Sequence, residues 1–191
     1  SRARFAFVGS LIGFRARRST KIIGLETCPL LETELNDALP ALFEQLKPAL
    51  KKIGKGEFDV VVDEKGNIGA NLSQIDDQQF DAQRQLFNEA LGEQAVLSFK
   101  AANTYITFKA GDFTQVNTDI NQQITERVVD WLAPKKQDRI ADYFCGLGNF
   151  SFPLAQSAAQ VIGFEADDAM VGRANESGKA KNLSNCEFKR M

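Results

Sequence analysis

The sequence predicts an α/β chain in two parts: an α+β region over residues 1–112, then the first part of a doubly wound parallel sheet over residues 113–191. Three observations carry this reading. Up to about residue 110, short half-alternating apolar runs joined by turns are interrupted by two stretches of helical period. Beyond about residue 114, strands and helices alternate. Between the first strand and helix of that second part, DYFCGLGNF at positions 142–150 packs a carboxylate, two glycines and an asparagine between apolar runs, a strand-to-helix loop of the kind that meets nucleotides.

The elements follow in order. RARFAF and LIGFRAR, joined near Gly9-Ser10, read as a hairpin, with KIIGLE as a third strand ended by Cys28-Pro29. From Glu32 to Lys52, Leu35, Leu39, Leu42, Phe43, Leu46 and Leu50 recur at three and four residues, a helix with an expected kink or break at Pro40 or Pro48. FDVVVDEKGNIGANL reads as a hairpin turning at Lys65-Gly66-Asn67. DDQQFDAQRQLFNEAL is a second helix with Phe80, Leu86, Phe87 and Leu91 inward, and AVLSF and TYITFKAG complete the α+β region. The second part has a helix from Asn117 to Leu132 with Ile120, Ile124, Val128 and Trp131 in period. A strand Ile140 to Phe144, a helix from Phe150, the strand VIGFEA, a helix from Asp167 to Lys181 and a strand starting at Cys186 complete it. Three strands make a poorly buried doubly wound sheet, so the chain reads as a fragment.

Composition excludes several classes. Hydrophobic residues at 43% and charged residues at 25% suit a globular protein, and no apolar run is long enough to span a bilayer. No membrane partner is expected. Cys28, Cys145 and Cys186 are an odd number without CxxC spacing, which fits a reducing, cytoplasmic setting. The absence of histidine leaves carboxylates, thiols or a cofactor to carry any chemistry. Arg2, Arg4, Arg15, Arg17, Arg18 and Lys21 precede the first acid, Glu26, so with a net charge of -2 the remainder carries -8. This local basic stripe is either an RNA-phosphate contact or a solvated strand face.

In the second part, Glu165 ends the strand VIGFE 17 residues after Gly148, the spacing of one βαβ unit with an acid for ribose hydroxyls. Two ligands fit such a loop. A dinucleotide wants GxGxxG directly after the strand, whereas here Asp142 precedes Gly146 and Gly148, and Ser151 stands at the third glycine position. That pattern favours S-adenosylmethionine. A glycine turn without a ligand, with Glu165 a surface acid, is the remaining reading.

DYFCGLGNFSFPLA with VIGFEA, GDFTQVN upstream and GLETCPLL far upstream together resemble the RNA 5-methyluridine methyltransferases, in order and over nearly the whole chain. The resemblance implies that the second part opens a Rossmann-like, class I S-adenosylmethionine-dependent methyltransferase domain, and that the protein methylates carbon 5 of uridine, preferably in 23S ribosomal RNA, with transfer RNA as the alternative. It implies that Gln115 lies at the cofactor and target-base pocket, that Phe144 and Asn149 contact cofactor, and that Glu165 binds ribose. Cys28 matches the last of four cysteines that hold a [4Fe-4S] cluster in many members; as a lone thiol it also reads as a small buried residue. Cys145 matches a structural position, not the nucleophile.

The family's nucleophilic cysteine, in an S-C-N-P-like segment, and its proton-abstracting acid match nothing in these 191 residues, so this chain alone is expected to be inactive. By resemblance, a thiolate attacks carbon 6 of a flipped uracil, and the activated carbon 5 takes the methyl group. Two readings from other classes stay open: a noncatalytic RNA-binding module with a vestigial loop, and a nicotinamide-dependent dehydrogenase resting on Gly146, Gly148 and Glu165.

Overall fold

The computed structural model describes residues 1–75, 80–115 and 117–191. Strand β1 (Arg2–Val8) turns into β2 (Leu11–Arg15), followed by β3 (Ile22–Gly24). On its other side β1 pairs antiparallel with β4 (Lys55–Val62), Phe5 opposite Phe58, and β5 (Ile68–Ile75) completes a five-stranded sheet in the order β3-β2-β1-β4-β5. The β4–β5 turn is held by Asp63, whose carboxylate accepts from the backbone N–H of Lys65 and Asn67 and from the Asn67 side chain. This is an Asx-type brace on the hairpin expected at Lys65-Gly66-Asn67.

Helix α1 (Thr33–Ile53) lays Leu35, Leu39, Phe43, Leu46 and Leu50 into the core, and α2 (Phe80–Leu91) adds Phe87. The expected inward residues Leu86 and Leu91 are only partly buried against that core, and the helix start expected across residues 76–79 lies outside the described residues. Phe5 is the hub: it meets Phe43 edge-on at 5.1 Å and stacks on Phe14 at 5.1 Å. The break expected at a proline does not occur, because α1 runs through both Pro40 and Pro48. Both lie on the exposed face, where water can satisfy the carbonyls of Asn36 and Glu44 that lose an N–H partner, while the buried leucines hold the helix in place.

The second compact unit contains α3 (Thr118–Leu132), β8 (Arg139–Tyr143), α4 (Ser151–Ala155), β9 (Gln160–Glu165), α5 (Asp168–Ala180) and β10 (Cys186–Arg190). Its strands are parallel in the order β10-β9-β8, and each connection is helical. Phe152 packs on Phe188 at 5.1 Å in its core. The hairpin of β6 (Leu97–Ala101) and β7 (Thr104–Phe108) is read from sequence as part of the first region. In the structure Ser98–Phe108 clusters with the second unit, while Lys109–Gly111 returns to the first. The reason is polar: the Thr107 hydroxyl bonds Ser177 of α5 at 2.9 Å, and the Ala102 N–H donates to Thr125 of α3 at 3.0 Å.

Helix α3 departs from its apolar period. Ile120, Ile124 and Trp131 are exposed, and the buried positions are Asn121 and Thr125. Asn121 and Thr125 lie one turn apart on one face, and hydrogen bonds rather than apolar packing decide which face turns inward.

Candidate cofactor site

Strand β8 stops at Tyr143, and the next residue leaves strand geometry abruptly: Phe144 has φ +59 and is 78% exposed. A bulky residue in the left-handed region costs about 1–2 kcal/mol. Gly146 (φ +56) and Gly148 (φ +90) follow, so every second residue of 144–148 has positive φ. The turn is pinned below by Cys145, whose N–H donates to the Phe164 carbonyl of β9, and by Gly148, whose N–H donates to the Cys145 carbonyl. The two glycines differ. A Cβ on Gly146 would meet nothing within 4 Å, whereas one on Gly148 would lie 2.7 Å from Phe188 and 2.9 Å from Phe152. Gly148 is a packing glycine, and Gly146 faces open space that a ligand can enter.

Glu165 closes the loop from the neighbouring strand. One carboxylate oxygen accepts from the Gly146 N–H at 2.9 Å; the other accepts from the N–H groups of Ala166 at 2.8 Å and Asp167 at 3.1 Å. A carboxylate has about four acceptor positions, so the oxygen facing Gly146 keeps one for a hydroxyl ligand. Asp142, at the end of β8, accepts from the Ser151 hydroxyl at 2.6 Å, tying the strand end to the start of α4. Burial raises the Asp142 pKa above its ordinary value, and the Ser151 hydrogen bond partly opposes this. Asp142 and Glu165 both act electrostatically on the Cys145 thiol between them.

Asn149 exchanges two hydrogen bonds with Asn121 of α3, each 3.0 Å. Asn117 caps the same helix, its side chain accepting from the Ile120 N–H at 2.9 Å. Just upstream lies Gln115, exposed, and on its other side the buried Asp112 is paired with Arg173 of α5. The structure therefore brings Asp142, Gly146, Gly148, Asn149 and Glu165 around one loop, and Gln115 onto a segment anchored to the same unit. Sequence reasoning missed Asn121 and Arg173. Asn121 was hidden by the apolar period around it, and Arg173 by a partner 61 residues away.

The remaining thiols are poor chemical groups. Burial first, then the nearby carboxylates, pushes Cys145 up to about 12, and burial pushes Cys186 up to about 12. Neither supplies a thiolate at neutral pH. Cys28 is buried and framed by Asn36, which accepts from its N–H at 2.9 Å and donates to its carbonyl at 2.8 Å. Among the described residues no three His, Cys, Asp or Glu side chains converge on a metal position.

In the first unit the basic stripe is partly neutralised. Arg4 makes a two-pronged pair with Asp59, at 2.8 and 3.1 Å, and Arg15 pairs with Glu57 at 2.8 Å. Arg17 and Arg18 are exposed in the turn after β2, and Arg2 is half-buried. Among the described residues no helix is long and apolar enough to cross a membrane.

The family model for tRNA (uracil-5-)-methyltransferases matches residues 78–191, the stretch that carries this loop. The chain belongs to that family. Curated relatives agree with this uracil-5-methyltransferase assignment. The chain is 34% identical to the 23S rRNA (uracil(1939)-C(5))-methyltransferase RlmD of Shewanella piezotolerans over 93% of its length and 44% of the relative's. It is 32% identical to the protein of the same description from Vibrio parahaemolyticus, over 92% and 44%. The chain thus spans less than half the length of these relatives. The solved Pyrococcus abyssi tRNA (uracil-54, C5)-methyltransferase in complex with S-adenosyl-L-homocysteine covers 100% of this chain and 54% of its own, with TM-score 0.69 and 17% identity, a likeness of fold.

Proposed function

We propose that this chain is the cofactor-binding part of an enzyme that transfers a methyl group from S-adenosylmethionine to carbon 5 of uridine in RNA. The observation that carries the proposal is the open-faced Gly146 loop closed by Glu165, in a chain of the uracil-5-methyltransferase family. The 34% and 32% identical relatives, named for 23S ribosomal RNA, support that RNA over transfer RNA.

S-adenosylmethionine, when bound, supplies an electrophilic methyl group on a positively charged sulfur. This chain's residues suit it better than a dinucleotide. Two carboxylates, Asp142 and Glu165, flank the loop and favour a cation over a pyrophosphate. Helix α4, with five residues, gives little dipole to offset a phosphate's charge. Glu165 would accept a ribose hydroxyl at its remaining lone pair, the Gly146 backbone would admit close approach, and the exposed Phe144 ring and Asn149 carboxamide would orient the ligand. Gln115 would face the target base.

The attacking thiolate would come from outside these residues, since Cys145 and Cys186 are buried and held protonated. Cys28 would serve as one ligand of a [4Fe-4S] cluster only together with thiolates from outside these residues. RNA contact by the first unit would rest on Arg17 and Arg18, with Arg4 and Arg15 already paired to acids. A cytoplasmic setting fits an odd number of cysteines without CxxC spacing.

Deleting the gene and measuring nucleosides in purified 23S ribosomal RNA and in transfer RNA tests the function. Loss of 5-methyluridine from the ribosomal fraction is expected. Loss from transfer RNA alone would move the substrate to transfer RNA, and unchanged 5-methyluridine in both would overturn the proposal.

A further inference from the structure

The segment that carries Gln115 is anchored on both sides: one anchor ends on α5 and the other on Asn149 beside the glycine loop. Upstream, Asp112 is buried and paired with Arg173, a residue of α5, the helix that begins directly after Glu165 and its Asp167 cap. The Arg173 guanidinium is itself mostly buried, and its Nε has no partner among the described residues, so Asp112 is the contact that compensates its charge. Downstream, Asn117 caps α3, and one turn later Asn121 spends both polar ends of its carboxamide on Asn149.

The two anchors restrict different things. An ion pair between buried groups holds its partners at fixed separation, because moving them apart would leave the Arg173 charge uncompensated. A reciprocal amide pair holds two carboxamides side by side at hydrogen-bond distance. Asn121 is buried, with its hydrogen-bonding ends committed. Asn149 is half-exposed and retains a second N–H and a second lone pair. Asn121 thereby holds the Asn149 carboxamide in place beside the glycine loop.

We propose that Arg173 and Asn121 are positioning residues, which clamp the Gln115 segment to the glycine loop so that cofactor and target base are presented to one another at fixed geometry. The role in catalysis rests on the function proposed above; the clamp itself does not. Displacing a positioning group by about 1 Å can cost on the order of 100-fold in rate. Arg173→Met should therefore lower kcat about 10- to 100-fold while changing the dissociation constant for S-adenosylhomocysteine much less, because Glu165 and Gly146 keep their own bonds. Arg173→Lys should restore most of the rate.

The test uses the full-length protein. Amide exchange at Ile120 and Asn121, whose N–H groups donate to Asn117 at the end of the segment, should accelerate about tenfold or more in Arg173→Met, whether or not the protein methylates RNA. Exchange at wild-type rates in a folded variant would overturn the clamp. A double-mutant cycle on kcat with Gln115→Ala separates positioning from general damage. If Arg173 acts through Gln115, the second substitution adds little; full additivity would overturn the proposal. Should Arg173→Met fail to fold, Asn121→Asp, which sets oxygen against oxygen at Asn149, must weaken S-adenosylhomocysteine binding, and unchanged affinity there would overturn the Asn121 half. A wild-type protein without methyl transfer would sink the proposed function and leave the exchange measurement to decide the clamp.

Discussion

Replacing each loop glycine by alanine separates packing from ligand access. Gly148→Ala places a methyl group 2.7 Å from Phe188 and 2.9 Å from Phe152, at φ +90. Both rings are buried and packed on each other, so neither can swing aside. The backbone conformation costs a non-glycine residue about 1–2 kcal/mol, and overpacking a filled core adds about 1–3 kcal/mol, so destabilisation of about 2–5 kcal/mol is expected. Gly146→Ala carries only the conformational cost, about 1–2 kcal/mol, because its added methyl meets nothing. Urea unfolding followed by circular dichroism reads both, with titration of S-adenosylhomocysteine alongside. Gly148→Ala should shift the unfolding midpoint further, while Gly146→Ala should stay folded and lose affinity, since its methyl occupies the space a ligand approaches. Equal midpoints, or a folded Gly146→Ala of undiminished affinity, would refute the reasoning.

Other consequences follow from the charges and thiols. Because burial raises the Asp142 pKa above 3.8, the native state holds that proton more tightly than the unfolded chain; wild-type stability should fall as pH rises from about 3.8 through the native pKa and then level off. Asp142→Asn lacks this loss, so its stability relative to wild type should climb with pH over that window, and a pH-independent difference in urea titrations would contradict it. With pKa values pushed up to about 12, Cys145 and Cys186 should resist alkylation by iodoacetamide at pH 8 in the native protein and react once unfolded, as read by peptide mass spectrometry. Substituting Arg17 and Arg18 by Gln in the full-length protein should reduce the salt slope of RNA binding by about 1.5, at about 0.7–0.9 per phosphate contact, whereas substituting Arg4 and Arg15 should change it little. Equal effects from the two pairs would return the stripe to a solvated strand face.

The parts of this fold legible in the sequence are those where local pattern and tertiary demand agree. The leucines of α1 recur at helical spacing and are the residues buried. The hairpins around Gly9 and Gly66 fall where turn residues stand between alternating strands. The loop at 144–148 was legible as a strand-to-helix turn, because its glycines stand between an apolar run and the next helix and Glu165 ends the neighbouring strand. Partners distant in sequence were not legible. Thr125 and Asn121 look like surface residues of α3 until Ala102 and Asn149 meet them, and the exposed Ile120, Ile124 and Trp131 look like core. The basic stripe reads as an open charge run because Glu57 and Asp59 arrive from a strand more than 40 residues away.

Methyl transfer itself is the most direct measurement. The full-length protein is incubated with methyl-labelled S-adenosylmethionine and unmodified RNA, which is then digested to nucleosides and separated. Label eluting as 5-methyluridine is the expected result. Label in any other nucleoside, or none in ribosomal or transfer RNA, would contradict the assignment.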